Sequence, residues 1–417
     1  MDKPEKTVKT FNTKVEKLVY GGAGLGHYLG KVVFVPYSVP GDRLLVRPVE
    51  IKKTFIRAEI VRILEAGSGR VAPPCPHFGR CGGCHWQQLE YMRQVEAKRM
   101  ILDETFRHRF PQSGDLPITM TACTHPFEYR SRARIQVRGC GAGAKVGFFR
   151  QGSHAVEDIE SCPLFRPSLN EALGSLRQFK LKVDTDSAPQ EMDIACSEEE
   201  NSWATARLGS NLNQGVSPLI GPGRNEEVLL RRNIGEFRYA VTASVFFQAN
   251  DFMVHELSAL IQKAARGAGH GTALELFAGA GLFSLPLARQ FSKVLAVDNS
   301  PSACRLCSAN ASAAGLAHIQ TICADISEWI NSDESLALPE VDLVVLDPPR
   351  TGAGVEVMER IQKWAPKIVI YVSCDPQTLA RDLARLLGRN YRIDLVQGLD
   401  MFPQTYHFET VVRLVKA

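Results

Sequence analysis

The stretch that most constrains this chain runs from Leu343 to Pro376. It reads Leu343-Val-Val-Leu-Asp347-Pro-Pro-Arg350, then Thr351-Gly-Ala-Gly354 and a helix-like segment, then Ile368-Val-Ile-Tyr-Val-Ser-Cys374-Asp-Pro376. Each half is an apolar, β-branched run that stops at a polar residue followed by proline. Such runs are buried parallel strands that deliver a side chain to the carboxyl edge of a sheet. Ligands bind at that edge. A carboxylate, Asp347, and a thiol, Cys374, therefore face one crevice provided their strands are neighbours.

The same grammar extends on both sides. From about Val241 onward, Ser244-Val-Phe-Phe-Gln248 precedes a helix, and Thr272-Ala-Leu-Glu275-Leu-Phe277-Ala-Gly279-Ala-Gly281 gives a strand and a glycine turn. Lys293–Asp298 is the next strand, and its terminal acid lies 17 positions after Gly281, a spacing suited to ribose hydroxyls. A third strand ends at Asp325, where an acid can reach an adenine amine. A glycine turn alone also suits NAD, but Ser284 replaces the third glycine of the dinucleotide fingerprint. S-adenosylmethionine is the better-fitting nucleotide. Further strands at Asp342–Leu346, Lys367–Val372, Tyr391–Val396 and Phe408–Val415 predict a seven-stranded, doubly wound α/β domain over 241–417.

Residues 8–64 read instead as short strands broken by glycine, which predicts a small five-stranded barrel of the OB type. The run Gly21–Gly26 lacks the Gly-Lys-Ser/Thr ending of a phosphate loop and is read as a tight barrel turn. The first 63 residues hold 12 Lys and Arg against 6 Asp and Glu, whereas the whole chain has a net charge of only +4. A basic excess on a small module suits a polyanion such as RNA.

Between the two lies Pro73-Pro-Cys75-Pro-His-Phe-Gly-Arg-Cys81-Gly-Gly-Cys84-His-Trp86. Three clustered cysteines wrap one face of a metal centre, and Cys162, followed by proline as Cys75 is, supplies a fourth thiolate. Zinc sites favour paired knuckles, whereas three clustered cysteines and one distant suit a four-iron cluster. Zinc and plain structural cysteines stay as alternatives. Cys123, Cys140 and Cys196 lack such company and read as buried small residues. Leu89–Phe110 predicts an amphipathic helix through Leu89, Met92, Val95, Met100, Ile101 and Phe106. In Tyr129–Arg138 a strand period puts Arg130, Arg132, Arg134, Gln136 and Arg138 on one face without an acid, which points to RNA contact.

At 417 residues the chain has room for two or three domains. The expected division is a barrel over 1–66, a central α+β metal-binding domain over 67–240 whose helix 89–110 packs on the catalytic domain, and the nucleotide-binding domain over 241–417. The charged start lacks a signal peptide's apolar run and no run of about 18 apolar residues occurs. A cytoplasmic protein is expected, with no membrane association. Eleven cysteines in such a chain read as thiols and ligands rather than disulfides.

Chemistry links these pieces. Carbon 5 of uracil is barely nucleophilic until a thiolate adds at carbon 6 and makes it enolate-like. A carboxylate base must then remove the C5 proton. Cys374 and Glu409, in Tyr406-His407-Phe408-Glu409 at the start of the last strand, supply that pair.

With these motifs in view, the chain resembles the RNA uracil-C5 methyltransferase family, the 5-methyluridine synthases of rRNA and tRNA, across essentially its whole length. The resemblance implies that the barrel is a TRAM domain, that Cys75, Cys81, Cys84 and Cys162 hold a [4Fe-4S] cluster, that Cys374 is the nucleophile and that Glu409 is the base. It places Gln248, Phe277, Asp298, Asp325 and Asp347 against the cofactor. Leu282, Asp298 and Asp375 depart from residues common in relatives, and an acid at Asp375 is expected to raise the Cys374 pKa. The substrate class expected is ribosomal RNA, with the T-loop of tRNA as the alternative. No obligatory protein partner is implied. An iron–sulfur RNA-binding protein with an idle catalytic domain is the reading from a different class.

Overall fold

The computed structural model describes residues 9–113, 116–139, 143–178, 190–197, 203–208, 229–338, 340–387 and 390–417. Cys140 lies outside these residues.

Strands β1 (Phe11–Leu18), β2 (Gly24–Tyr28), β3 (Lys31–Val35), β4 (Arg43–Ile51) and β5 (Phe55–Glu65) close into a barrel of order β1-β2-β3-β5-β4. Alternation along β1 turns Phe11, Thr13 and Val15 inward, where Val33, Val35, Leu44, Val46 and Ile56 complete the core. Closure needs a bare backbone at Gly26, where a Cβ would lie 2.3 Å from the Lys14 carbonyl oxygen. Buried Asp42 accepts from Val39 N and Gly67 N and pairs with Arg70, anchoring the barrel to the segment that follows.

Helix α1 (Tyr91–Arg109) then packs on β6 (Ile118–Thr121) and on the C-terminal domain. Its buried face is Gln94, Val95, Lys98, Ile101, Leu102, Thr105 and Phe106. Met92 and Met100, expected on that face, are exposed. Polar Gln94 and Lys98 replace them because they meet polar groups across the interface. Lys98 Nζ donates to Asp400 at 2.6 Å, with both side chains fully buried. Removing one partner of such a pair strands a charge and costs about 3–5 kcal/mol.

The central region forms an antiparallel sheet from β7 (Arg132–Arg138), β8 (Lys145–Phe149), β9 (Val156–Asp158), β10 (Gln190–Cys196) and β11 (Trp203–Leu208), in the order β11-β10-β7-β8-β9. Helix α2 (Pro167–Gln178) covers it, burying Leu169, Leu173 and Leu176 against Ile135, Val137 and Ile194. A hairpin of β12 (Leu230–Ile234) and β13 (Phe237–Val241) follows. Its Ile234, Phe237, Tyr239 and Val241 share one core with helix α3 (Met253–Ala264).

The C-terminal domain is built on β14 (Thr272–Leu276), β15 (Lys293–Asp298), β16 (Ile319–Cys323), β17 (Leu343–Leu346), β18 (Ile368–Ser373), β19 (Tyr391–Leu399) and β20 (Glu409–Lys416). The sheet has eight strands, not the seven expected, in the order β16-β15-β14-β17-β18-β20-β19-β6. The additional strand is β6, which pairs parallel with β19 in the register Val396↔Ile118. It was hidden because four residues far from the domain in sequence carry no period of their own. β14, β17 and β18 are buried at every position, which is why they read as unbroken apolar runs. Only β20 runs against its neighbours on both sides. Helices α4 (Ser284–Leu287), α5 (Pro301–Ala313), α6 (Ile326–Trp329), α7 (Asp333–Leu336), α8 (Val355–Trp364) and α9 (Pro376–Leu383) connect the strands, and a separate apolar core fills each face of the sheet. Among the described residues no helix is long and apolar enough to cross a membrane.

Candidate active site

Cys374 follows the last residue of β18 and Glu409 opens β20. The two strands are hydrogen-bonded neighbours, paired Ser373↔Thr410, so thiol and carboxylate emerge side by side at one sheet edge. β17 is the other neighbour of β18, with Leu346 opposite Tyr371, and it delivers Asp347 to the same edge.

The electrostatics of this edge are those of crowded acids in a poor solvent. Glu409 is buried, and its Oε2 has no hydrogen-bond partner in the protein. Burial, then the charge of Asp347, pushes its pKa well above the carboxylate range, and Arg350 opposes the rise. Asp347 is pushed up to about 7 by burial. The Cys374 thiol is pushed up to about 12, first by burial and next by Glu409, with Arg350 again opposing. Asp375 also raises it, as expected, but contributes less than Glu409 or Asp347. The reason is its other employment: it caps α9, accepting from Gln377 N at 2.9 Å and Thr378 N at 3.1 Å. His407 is held neutral, its pKa lowered to about 3 by burial and then by Arg350, whose guanidinium lies 3.3 Å from His407 Nε2. His407 Nδ1, like Glu409 Oε2, is a buried polar atom without a partner.

The expected nucleotide contacts line the ends of consecutive strands, since β16, β15, β14 and β17 are adjacent. The turn after β14 holds Phe277, Gly279 and Gly281 at φ of 64°, 55° and 89°. Only the glycines take that backbone without strain, so Phe277 carries the strain often found at binding sites. Gly281 also lets α5 close on the turn, because a Cβ there would meet Cys307 Sγ at 2.9 Å. Asp298 accepts from Gly279 N and Ser300 N, both at 2.8 Å, one on each oxygen. A carboxylate has about four acceptor positions, which leaves two for ribose hydroxyls. Asp325 caps α6 through Oδ1, accepting from Ser327 N and Glu328 N, and its side chain is exposed. Gln248, in the segment between β13 and α3, is buried. Leu282 is buried, and its carbonyl accepts from the Tyr239 hydroxyl.

Cys75, Cys81, Cys84 and Cys162 line one pocket with Gln87, Arg130, Phe148 and Leu164. Burial pushes Cys162 up to about 11 and raises Cys81 and Cys84, and neighbouring thiols add to each rise. Four thiolates can coexist here only with positive charge among them. Among the described residues no group of three or more His, Cys, Asp or Glu is close enough to hold a metal ion. Cys123 and Cys196 are buried, as expected.

Arg130, Arg132 and Arg134 have partners within the protein. Arg132 is partly buried, and its guanidinium donates to the carbonyl oxygens of Thr242, Ala243 and Val245 at 3.2, 3.0 and 2.6 Å. Arg134 is paired with Asp193 at 3.0 Å and Glu191 at 3.5 Å, both on β10. Arg130 donates to the Arg132 carbonyl oxygen and lines the cysteine pocket. The acids that satisfy this face lie 55 or more residues away on the next strand, so a single-strand pattern could not show them.

Sequence reading also missed three contributors. Arg350 was visible beside Asp347 but had no assigned role. Buried Glu275, pushed up to about 8 by burial, receives the Ser284 hydroxyl below the glycine turn. Tyr20, on the barrel, reaches the Cys374–Asp375 turn.

Comparison with known proteins accords with this geometry. Residues 226–417 match the family model described as tRNA (uracil-5-)-methyltransferase. A 23S rRNA (uracil(1939)-C(5))-methyltransferase of Shewanella amazonensis is 32% identical, over 95% of this chain and 93% of that protein. An uncharacterized RNA methyltransferase of Thermosynechococcus vestitus is 29% identical over 97% of this chain and 98% of its own length. Among solved structures, the Pyrococcus abyssi tRNA (uracil-54, C5)-methyltransferase with S-adenosyl-L-homocysteine superposes with a TM-score of 0.73, 23% identity, and coverage of 97% and 100% of the two chains. That likeness establishes the shared fold.

Proposed function

Because this chain belongs to the RNA uracil-C5 methyltransferases, we propose that it methylates a uridine of 23S ribosomal RNA in the cytoplasm, through a covalent Cys374 adduct resolved by Glu409. Support for the reaction rests above all on one observation: a thiol and an unpartnered carboxylate emerge from paired strands at one sheet edge. Support for ribosomal RNA comes from the Shewanella relative. The barrel and cysteine loop do not choose between RNA classes, since the Pyrococcus tRNA enzyme matches 97% of this chain.

In this reading the target uridine is flipped out of a loop, because its carbon 6 is out of reach within a stack. Cys374 Sγ bonds to C6 and gives C5 enolate character. Arg350 is the cation of this chain that favours the thiolate. Bound S-adenosylmethionine supplies a sulfonium methyl group as the electrophile, and Phe277, Gly279, Gly281, Asp298, Asp325 and Asp347 hold it at the strand ends, together with Gln248 from the segment before α3. Glu409 then takes the C5 proton as the C6–S bond breaks, which frees Cys374. Its raised proton affinity suits it to remove a weakly acidic proton.

Cys75, Cys81, Cys84 and Cys162 would hold a [4Fe-4S] cluster. Such a cluster would supply a four-point cross-link, and no step of the reaction is assigned to it. Its loop is already joined to the base-bearing segment, since His85 N and Trp86 N donate to the Gln404 carbonyl oxygen at 2.9 and 3.0 Å. The basic barrel, which we read as a TRAM domain, grips RNA.

The test is methyl transfer from labelled S-adenosylmethionine to unmodified 23S rRNA and tRNA in parallel, with anaerobically purified protein. Label at carbon 5 of uridine in rRNA alone is expected. Label in tRNA alone would move the substrate to the T-loop, and label in neither would remove the reading.

A further inference from the structure

The barrel touches the catalytic centre at one side chain. Tyr20 lies in the turn between β1 and β2, and its hydroxyl oxygen is 3.1 Å from Asp375 Oδ2 and 3.3 Å from the Cys374 carbonyl oxygen. More than 350 residues separate the partners in sequence. The contact is held from both sides. Gly22, at φ of 89°, packs so closely that a Cβ would meet the Tyr406 ring at 3.0 Å and His85 at 3.1 Å. Trp86 Nε1 donates to the Gly22 carbonyl oxygen at 2.9 Å. The Tyr20 ring stands edge-on to Tyr406, His407 and Phe408, the residues that lead into Glu409.

We propose that Tyr20 is a positioning residue for the nucleophile, through which the barrel fixes the Cys374–Asp375 turn and blunts the Asp375 charge beside the thiol. The inference rests on the covalent reading of Cys374. A hydroxyl has one proton, and the carboxylate is the stronger acceptor. Donation to Asp375 therefore withdraws negative field from Cys374 and ties the Cys374–Asp375 turn, and so the peptide that aims Sγ, to the barrel. Burial and the nearby Asp375 charge raise the Tyr20 pKa, so the donor stays protonated at working pH. Asp375 retains its cap on α9 throughout, since those bonds use its other oxygen. The barrel is thereby a part of the active site as well as a grip on substrate.

The experiment compares the full chain with Tyr20→Phe, which keeps the ring and its packing, and with Asp375→Asn alone and combined with it. Two readouts are taken: steady-state methyl transfer, and the alkylation rate of Cys374 in RNA-free protein, followed by peptide mass spectrometry at alkaline pH. Tyr20→Phe is expected to lower kcat about tenfold, the worth of one charge-assisted hydrogen bond, with KM for RNA within about twofold. Cys374 alkylation should slow in parallel, and adding Asp375→Asn should restore it in the double variant, while Asp375→Asn alone should not slow it. An unchanged alkylation rate, a loss confined to KM, or slowing that Asp375→Asn does not relieve would overturn the proposal. Absence of methyl transfer by the unsubstituted chain would instead remove the covalent reading, and the alkylation comparison would still decide whether Tyr20 governs the thiol.

Discussion

Two strands of this protein present polar side chains in a row, and they differ in what meets them. On β7, Arg132 and Arg134 are satisfied by backbone carbonyls and by acids of β10. At the edge shared by β18 and β20, Cys374 and Glu409 crowd one another and Asp347, and Glu409 Oε2 is left without a partner. Buried polar groups are normally paired. Glu409 Oε2 is one of several buried polar atoms left without a partner among the described residues, with Gln136 Oε1 of β7 and His407 Nδ1 among the others. It stands out by lying beside a thiol and a second acid, whereas Arg132 and Arg134 are held by the protein itself.

Substitutions sharpen the contrast. The largest effect falls on Cys374→Ala, expected to lower methyl transfer by at least about 10⁴-fold, as loss of a covalent nucleophile does, while leaving the melting temperature nearly unchanged. Turnover is the readout, and comparable turnover in the variant would break the comparison at once. Arg132→Ala should do the reverse. It removes three hydrogen bonds to carbonyls in a partly buried site and should cost about 1–3 kcal/mol of stability by denaturant titration. Salt-dependent RNA affinity should be retained in the folded fraction.

Asp347→Asn probes the charged edge through pH. Its folded pKa, about 7, lies above the ordinary carboxylate value, so the native state binds this proton more tightly than the unfolded chain does. That contribution is complete below the unfolded pKa and is lost as pH rises through about 7. The amide removes the penalty, so the variant should melt higher than the parent at pH 8, with the gap closing toward pH 4. Thermal melts at the two pH values check the sign, and equal gaps would mean that Asp347 is not a strained acid. The smallest effect belongs to Arg134→Ala, whose half-exposed ion pair with Asp193 is worth less than about 1 kcal/mol. RNA affinity within about twofold of the parent would support an architectural role. A large fall would return this face to the RNA.

The physical reason some features were legible in sequence is locality. Asp347 and Cys374 end apolar runs just before proline, and the strands that carry them are indeed neighbours. The closed barrel likewise followed from short strands and glycine turns. What stayed hidden depended on another chain segment. The acids on β10 pair with Arg134 within the sheet. Four residues at β6 added a strand to a sheet more than 150 positions away. Gln94 and Lys98, not Met92 and Met100, proved to be the buried face of α1, because Gln404 and Asp400 wait across the interface. Asp375 was legible as an acid that raises the thiol's pKa because it is adjacent in sequence, whereas the larger effect of Glu409, adjacent only in space, was not. Tyr20 carried no signal at all, since nothing in a barrel turn reveals what docks against it.

The central claim is that Cys374 bonds to the RNA base and that Glu409 releases it. The most direct measurement is a denaturing gel of the Glu409→Gln variant incubated with S-adenosylmethionine and its RNA, followed by mass spectrometry of the shifted band. The account predicts a denaturant-stable protein–RNA adduct on the Cys374 peptide, carrying the new methyl group and absent when Cys374→Ala is added. Methylated RNA released at the parental rate by Glu409→Gln, with no adduct at Cys374, would contradict it.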